Sequence, residues 1–179
     1  MPKLIANVKE TILKNAKDEL YANPEADLNL RNIAKKSGIA VGTIYHYFDN
    51  KLQLVATIIL EEWNGVYSAF LEKEESFDSL ETLFKEIIKM MNEFSKSHRI
   101  IFNTYSSKEH SFNNGHKMFR TAIKNLIKHY LVTKEIKYDE SNLLIASELI
   151  IRTFRDDEIS KEPLYKTLEL ILIGGNNNE

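Results

Sequence analysis

The chain has 179 residues, 43% of them hydrophobic and 28% charged, with a formal net charge of −2; that is an ordinary globular composition, enough for one domain or for a small amino-terminal module joined to a larger helical body. With no cysteine, disulfides and thiolate metal sites are excluded and a reducing cytoplasm is the expected setting. Residues 1–7 lack the apolar core of a signal peptide and no apolar run approaches the ~20 residues of a membrane span, so neither export nor embedding is expected.

Six glycines and three prolines are few, and a 3.6-residue period dominates over strict alternation, which predicts an all-α protein. The first helix is expected over about 3–22, with Ile5, Val8, Ile12, Ala16 and Leu20 along one stripe and a stop before Pro24. Two short helices follow. Asn29 precedes the first as its N-cap, and Gly38 closes it where a positive φ is needed, with Ile39 plugging the angle of a tight turn. In the second, at ~100° per residue, Val41, Ile44 and Phe48 fall within about 60° of one another and form the seat of the helix. Gly42, Thr43 and His46 then face outward with Tyr45 and Tyr47 on the flanks, a surface free of bulky aliphatic side chains that can enter a DNA groove.

The fourth helix is expected over about 51–72, roughly 33 Å long, opened by an Asn50/Gln53 capping box, with Lys51 in its first turn, poor for the helix dipole and useful beside a phosphate. A fifth helix carries Leu80, Leu83, Phe84, Ile87, Ile88, Met91 and Phe94 at single-stripe spacing from an Asp78/Glu81 capping pattern, and a short sixth covers about 98–106. Residues 107–115, Ser-Lys-Glu-His-Ser-Phe-Asn-Asn-Gly, read as the clearest internal loop. An amphipathic helix from Met118 to Leu131 follows. The last two helices are apolar on most sides: Leu143 to Phe154, and 164–173 with Leu164, Leu168, Leu170, Ile171, Leu172 and Ile173. Their economical cover is a second copy, so a homodimer through helices at about 140–155 and 162–173 is expected, with the end of the chain from Gly174 as a frayed tail.

The run Ile-Ala-Lys-Lys-Ser-Gly-Ile at 33–39, the segment Gly42-Thr43-Ile44-Tyr45-His46-Tyr47-Phe48 and the lysine opening the fourth helix together resemble the amino-terminal signature of the TetR (tetracycline repressor) family of bacterial transcription regulators, over roughly residues 3–55. The resemblance implies an amino-terminal three-helix DNA-binding module, residues 1–50, and a larger helical effector-binding and dimerisation domain, residues 51–179. In proteins of this kind the position of Asn29 caps its helix beside the DNA backbone, those of Thr43, Tyr47 and Lys51 contact phosphates, and those of Tyr45 and His46 lie at base edges. Arg31, Ala40, Val41 and Gly42 complete the expected DNA-facing set. The chain departs from the family at Ala40 and Val41, where a hydroxyl or basic residue is common; a cap is thereby lost, while Val41 suits a thymine methyl.

The charge distribution agrees only modestly. Residues 1–51 hold eight Lys/Arg against six Asp/Glu, a balance of +2, and the remainder sixteen against twenty, a balance of −4. DNA affinity must therefore come from placed phosphate contacts and dimerisation rather than a broad basic field. The implied partners are a pseudo-palindromic double-stranded operator and a small-molecule effector whose differential affinity for two states releases the DNA. Trp63, Tyr67, Met91, Phe94, Phe102 and Tyr105 are the candidate lining of that effector site, apolar with hydroxyl handles; an inward Arg99 would favour an acidic ligand, although a surface position is its default.

Two competing readings fit the same residues. One keeps the DNA contacts and replaces the small molecule with a protein partner. The other is an all-helical metal-dependent enzyme using His98, His110, His116, His129 and Glu109, but no pair among them has the i, i+4 spacing of a helical zinc motif, and no phosphate loop or nucleophile motif occurs, so no catalytic residue, metal or cofactor is expected.

Overall fold

The computed structural model describes residues 7–106, 111–154, 156 and 158–174, with the side chains of Ser106 and of residues 111–116 left aside. Among the described residues the chain is helical throughout, with no strand: α1 Val8–Ala22, α2 Leu30–Ser37, α3 Val41–Tyr47, α4 Lys51–Glu74, α5 Leu80–Ser97, α6 Arg99–Ser106, α7 Ser111–Thr133, α8 Glu140–Thr153 and α9 Lys161–Ile173. The all-α expectation holds, and most boundaries fall within two residues of those read from the periodicity. The described residues form two compact units, one of those within 1–64 and 98–106, the other of those within 65–97 and 111–174. Helix α4 therefore contributes its first half to one unit and its second half to the other.

In the first unit α1 buries Ile12, Ala16 and Leu20 of the expected stripe, with Leu13 added to them and Val8 only half-buried, while Leu30, Ile33 and Ala34 of α2, Ile44 and Phe48 around α3, and Leu54, Val55 and Ile58 of α4 complete the core. Polar clasps set the helices in register. Asn15 Nδ2 donates to Ser37 Oγ at 2.9 Å. Glu19 accepts from Asn32 Nδ2 at 2.9 and 2.7 Å and pairs with Lys36 at 2.7 Å. Of these, the hydrogen bond from Lys36 does most to hold the Glu19 carboxyl below its ordinary range. Tyr105 of α6 is fully buried and its hydroxyl accepts the Leu28 amide at 3.0 Å, so the backbone entering α2 leaves no orphan donor there.

In the second unit Leu83, Phe84, Ile87, Ile88, Met91 and Phe94 form the buried face of α5, and Ile123, Leu126, Ile127, Tyr130 and Leu131 that of α7. Two local expectations are corrected. Helix α5 is capped by Ser79, whose hydroxyl accepts the Thr82 amide at 3.2 Å, and Asp78 instead accepts the Thr82 hydroxyl at 2.9 Å. The expected loop at 107–115 is helical from Ser111 onward: Asn and Gly are poor helix formers, but each costs under about 1 kcal/mol, and extending a helix already anchored by Ile123, Leu126 and Ile127 needs no new nucleus. Residues 107–110 lie outside the described part, as do residues 3–6 of the expected first helix and the tail from 175.

Candidate nucleic-acid interface

Each short helix is specified by its ends. Asn29 sits in extended backbone and its Oδ1 accepts the amides of Arg31 and Asn32 at 3.1 and 3.2 Å, the N-cap expected from the sequence. Gly38 adopts φ 67°, and its amide and that of Ile39 turn back onto the last carbonyls of α2, ending the helix in one residue. Helix α3 then starts at Val41 from Ala40, whose methyl offers no cap hydrogen bond. At the start of α4, Asn50 Oδ1 accepts the Gln53 amide at 2.9 Å while the Gln53 side chain accepts the Asp49 amide, a capping box displaced by one residue on its return arm.

Only Ile44 within α3 is buried, with Phe48 following it. Val41 and Thr43 are half-buried, and Gly42, Tyr45, His46 and Tyr47 are exposed, Tyr45 at 53%. Tyr45, expected on a flank of the helix, lies outside the core. The His46 and Tyr47 rings meet edge to face at 5.4 Å, which limits the freedom of both before any ligand arrives. A methyl group built on Gly42 would meet nothing within 4 Å. The outer surface of α3 is thus small, aromatic and hydrogen-bonding, on a helix held by two apolar anchors.

Charges around this surface are tethered. Lys51 pairs with Asp27 at 2.7 Å, and Lys36 is engaged with Glu19, whereas Arg31 and Lys35 are exposed. A phosphate approaching Lys51 has to displace a carboxylate in an exposed pair whose strength is about 0.2–1 kcal/mol.

The six candidate effector residues fall in both units: Trp63, Phe102 and Tyr105 in the first, Tyr67, Met91 and Phe94 in the second. Trp63, Met91, Phe94 and Tyr105 are buried, Tyr67 and Phe102 half-buried. Tyr105 already uses its hydroxyl on Leu28. Arg99 is exposed.

The first unit also holds a polar node that the reading of the sequence missed. Glu62 Oε1 pairs with Lys17 at 2.6 Å; its Oε2 meets His98 Nε2 at 2.6 Å and accepts the Tyr21 hydroxyl, joining α1, α4 and the residue before α6. Burial pushes the Glu62 carboxyl up, but Lys17, Tyr21 and His98 together outweigh it and leave it below its ordinary value. Of the histidines that a metal-dependent site would use, His98 belongs to this node, and His129 pairs with Glu74 in the other unit. Glu109 and His110 lie outside the described residues, as does the side chain of His116. No helix among the described residues is long and apolar enough to cross a membrane.

Outward from the second unit, α8 and α9 expose Leu144, Ile145 and Leu170, the last at 69%, while Leu143, Ala146, Ile150, Leu164, Leu168 and Leu172 point inward.

Residues 12–58 match the family described as bacterial regulatory proteins, tetR family. The HTH-type transcriptional regulator UidR of Escherichia coli strain K12 is 27% identical over 89 residues, 49% of this chain and 45% of that protein, so the chain aligns with less than half the length of this relative. Among solved structures, the Bacillus subtilis regulator FadR in complex with stearoyl-CoA is similar over 93% of this chain and 98% of its own, with TM-score 0.54 and 19% identity. The transcriptional repressor QsdR of R. erythropolis, from the TetR family, is similar over 96% and 97%, with TM-score 0.55 and 12% identity. These two likenesses extend the all-helical fold over nearly the whole chain.

Proposed function

We propose, from the match of residues 12–58 to the tetR family of bacterial regulatory proteins, that this chain is a TetR-type sequence-specific DNA-binding transcriptional regulator, a repressor released from its operator by a small molecule, and not an enzyme. The observation that carries the reading is the outer face of α3: Gly42, Tyr45, His46 and Tyr47 exposed on a helix seated by Ile44 and Phe48. Aromatic and imidazole groups of this kind donate and accept hydrogen bonds at base edges, and a glycine admits the backbone to van der Waals distance of the groove. Asn29, Arg31, Ala40, Val41, Thr43 and Lys51 frame that face, with Thr43, Tyr47 and Lys51 assigned to phosphates and Tyr45 and His46 to bases.

Two such faces are needed for a two-fold operator, and the exposed apolar residues of α8 and α9 support a homodimer formed there. Residues 1–50 then act as the reading module and 51–179 as the effector and dimerisation domain, in the cytoplasm where the DNA lies. The stearoyl-CoA complex of the Bacillus subtilis protein supports a small-molecule effector, without fixing its chemistry. The test is binding of the purified chain to fragments of its own genomic DNA. One discrete set of sites, lost in the double variant Tyr45→Ala/His46→Ala, is expected; equal affinity for all duplexes refutes the reading.

A further inference from the structure

Glu74 is the last residue of α4 and only 1% exposed. Its Oε2 is hydrogen-bonded to His129 Nδ1, while its Oε1 is buried with no hydrogen-bond partner. The backbone places it badly for an anion. A helix C-terminus carries a partial negative charge, so burial and the dipole both oppose a carboxylate there. Among the described residues no group of three His, Asp or Glu gathers as a metal ion needs.

The surroundings are aromatic. Phe70 lies one turn earlier on the same face of α4, and the Phe77 amide closes onto the Glu74 carbonyl at 3.1 Å; their rings pack edge to face at 5.5 Å. Tyr130, next to His129, donates its hydroxyl to the Phe77 carbonyl at 3.4 Å, and its ring face already receives the Lys134 ammonium at 5.6 Å. Burial first, and then the charge of Glu74, push the hydroxyls of Tyr67 and, with Asp78, Tyr130 up in pKa. Burial likewise pushes the Glu74 carboxyl up, against the pull of His129.

We infer that Glu74, with Tyr67 and Tyr130 beside it, is the recognition point for a small organic ammonium ion, so that the effector of this regulator is an amine rather than a carboxylic acid. The inference rests on the carboxy-terminal helices being the effector-binding part. An ammonium group supplies what the site lacks: an N–H donor for Oε1 and a positive charge opposing the helix terminus.

Three probes of equal chain length test this on the full chain by calorimetry: octylammonium, octanoate and octanol. Octylammonium is expected to bind tighter than the other two by on the order of tenfold, the worth of one charge-assisted hydrogen bond, and Glu74→Gln, which keeps the shape, abolishes that preference. Binding is also expected to lower the pH at which a 13C-labelled Glu74 carboxyl titrates, which a purely structural carboxylate does not show. Absence of octylammonium binding, equal binding of octanoate, or an unchanged preference in Glu74→Gln overturns the inference. A separate DNA titration distinguishes the two claims: octylammonium bound through Glu74 without any change in DNA affinity leaves the amine site standing and removes the effector reading.

Discussion

Gly42→Ala separates folding from DNA recognition in one substitution. Gly42 is in the first turn of α3, has no positive φ, and a Cβ there meets nothing within 4 Å. Folding alone therefore gives no reason for a glycine. Alanine should stabilise the helix by about 0.5 kcal/mol, the lower end of the glycine-to-alanine range because the site is near the helix start. That corresponds to a rise in Tm of about 1–2 °C for a chain of this size. If the backbone of α3 approaches the groove at this point, the added methyl has to push the helix outward. Loss of even one base contact then weakens binding by on the order of tenfold. Thermal unfolding and fluorescence anisotropy on a labelled duplex measure the two effects on one preparation. A stabilised variant with unchanged DNA affinity would refute the close approach, and a destabilised variant would refute the account of the glycine.

Asp27→Asn should release Lys51 from its 2.7 Å ion pair and strengthen DNA binding by about twofold to fivefold, while Lys51→Ala lowers the slope of log affinity against log salt by about 1 per subunit; anisotropy at several salt concentrations reads both. Glu62→Gln keeps an acceptor for Tyr21 and His98 but turns an amide toward Lys17, so it should cost about 1–2 kcal/mol near neutral pH by denaturant unfolding. Because Glu62 is held below its ordinary value of about 4.5 in the folded state, its contribution is full above that pH and lost as the pH falls through the folded value, where wild type and variant converge. Glu74→Gln shows the opposite trend: the folded state favours the protonated carboxyl, so the wild type loses stability as the pH rises from about 4.5 through the raised value, and the amide variant gains relative to it. Leu144→Glu with Leu170→Glu alters two side chains that are 47% and 69% exposed, so the helices should fold unchanged while sedimentation shows a monomer; an intact dimer contradicts the assigned interface.

The helix-turn-helix was legible in the sequence because its determinants are local. Asn29 caps within three residues, Gly38 has one conformational role, and Ile44 and Phe48 share a helical face. The carboxylate nodes were not legible, because Glu62 finds Tyr21 and His98 41 and 36 residues away, and Glu74 finds His129 at 55. A faint trace does exist. Glu62 follows Ile58 by four residues, Glu74 follows Phe70 by four, and His98 follows Phe94 by four, so each polar group sits in phase with an apolar stripe. Burial at such positions requires a partner, and the acids and histidines found one another. The end of the expected loop failed for the converse reason: the composition at 111–115 is polar, but tertiary anchoring further along α7 decides its conformation.

The most direct measurement is selection of bound duplexes from a random-sequence pool by the purified full chain at low salt, repeated with His46→Ala. The wild type should enrich a two-fold-symmetric motif whose half-sites lie about one or two helical turns apart, and the variant should lose preference at one base position in each half-site while keeping their spacing. A pool that stays random, or a motif the variant selects unchanged, contradicts the assignment of α3 as the reading helix.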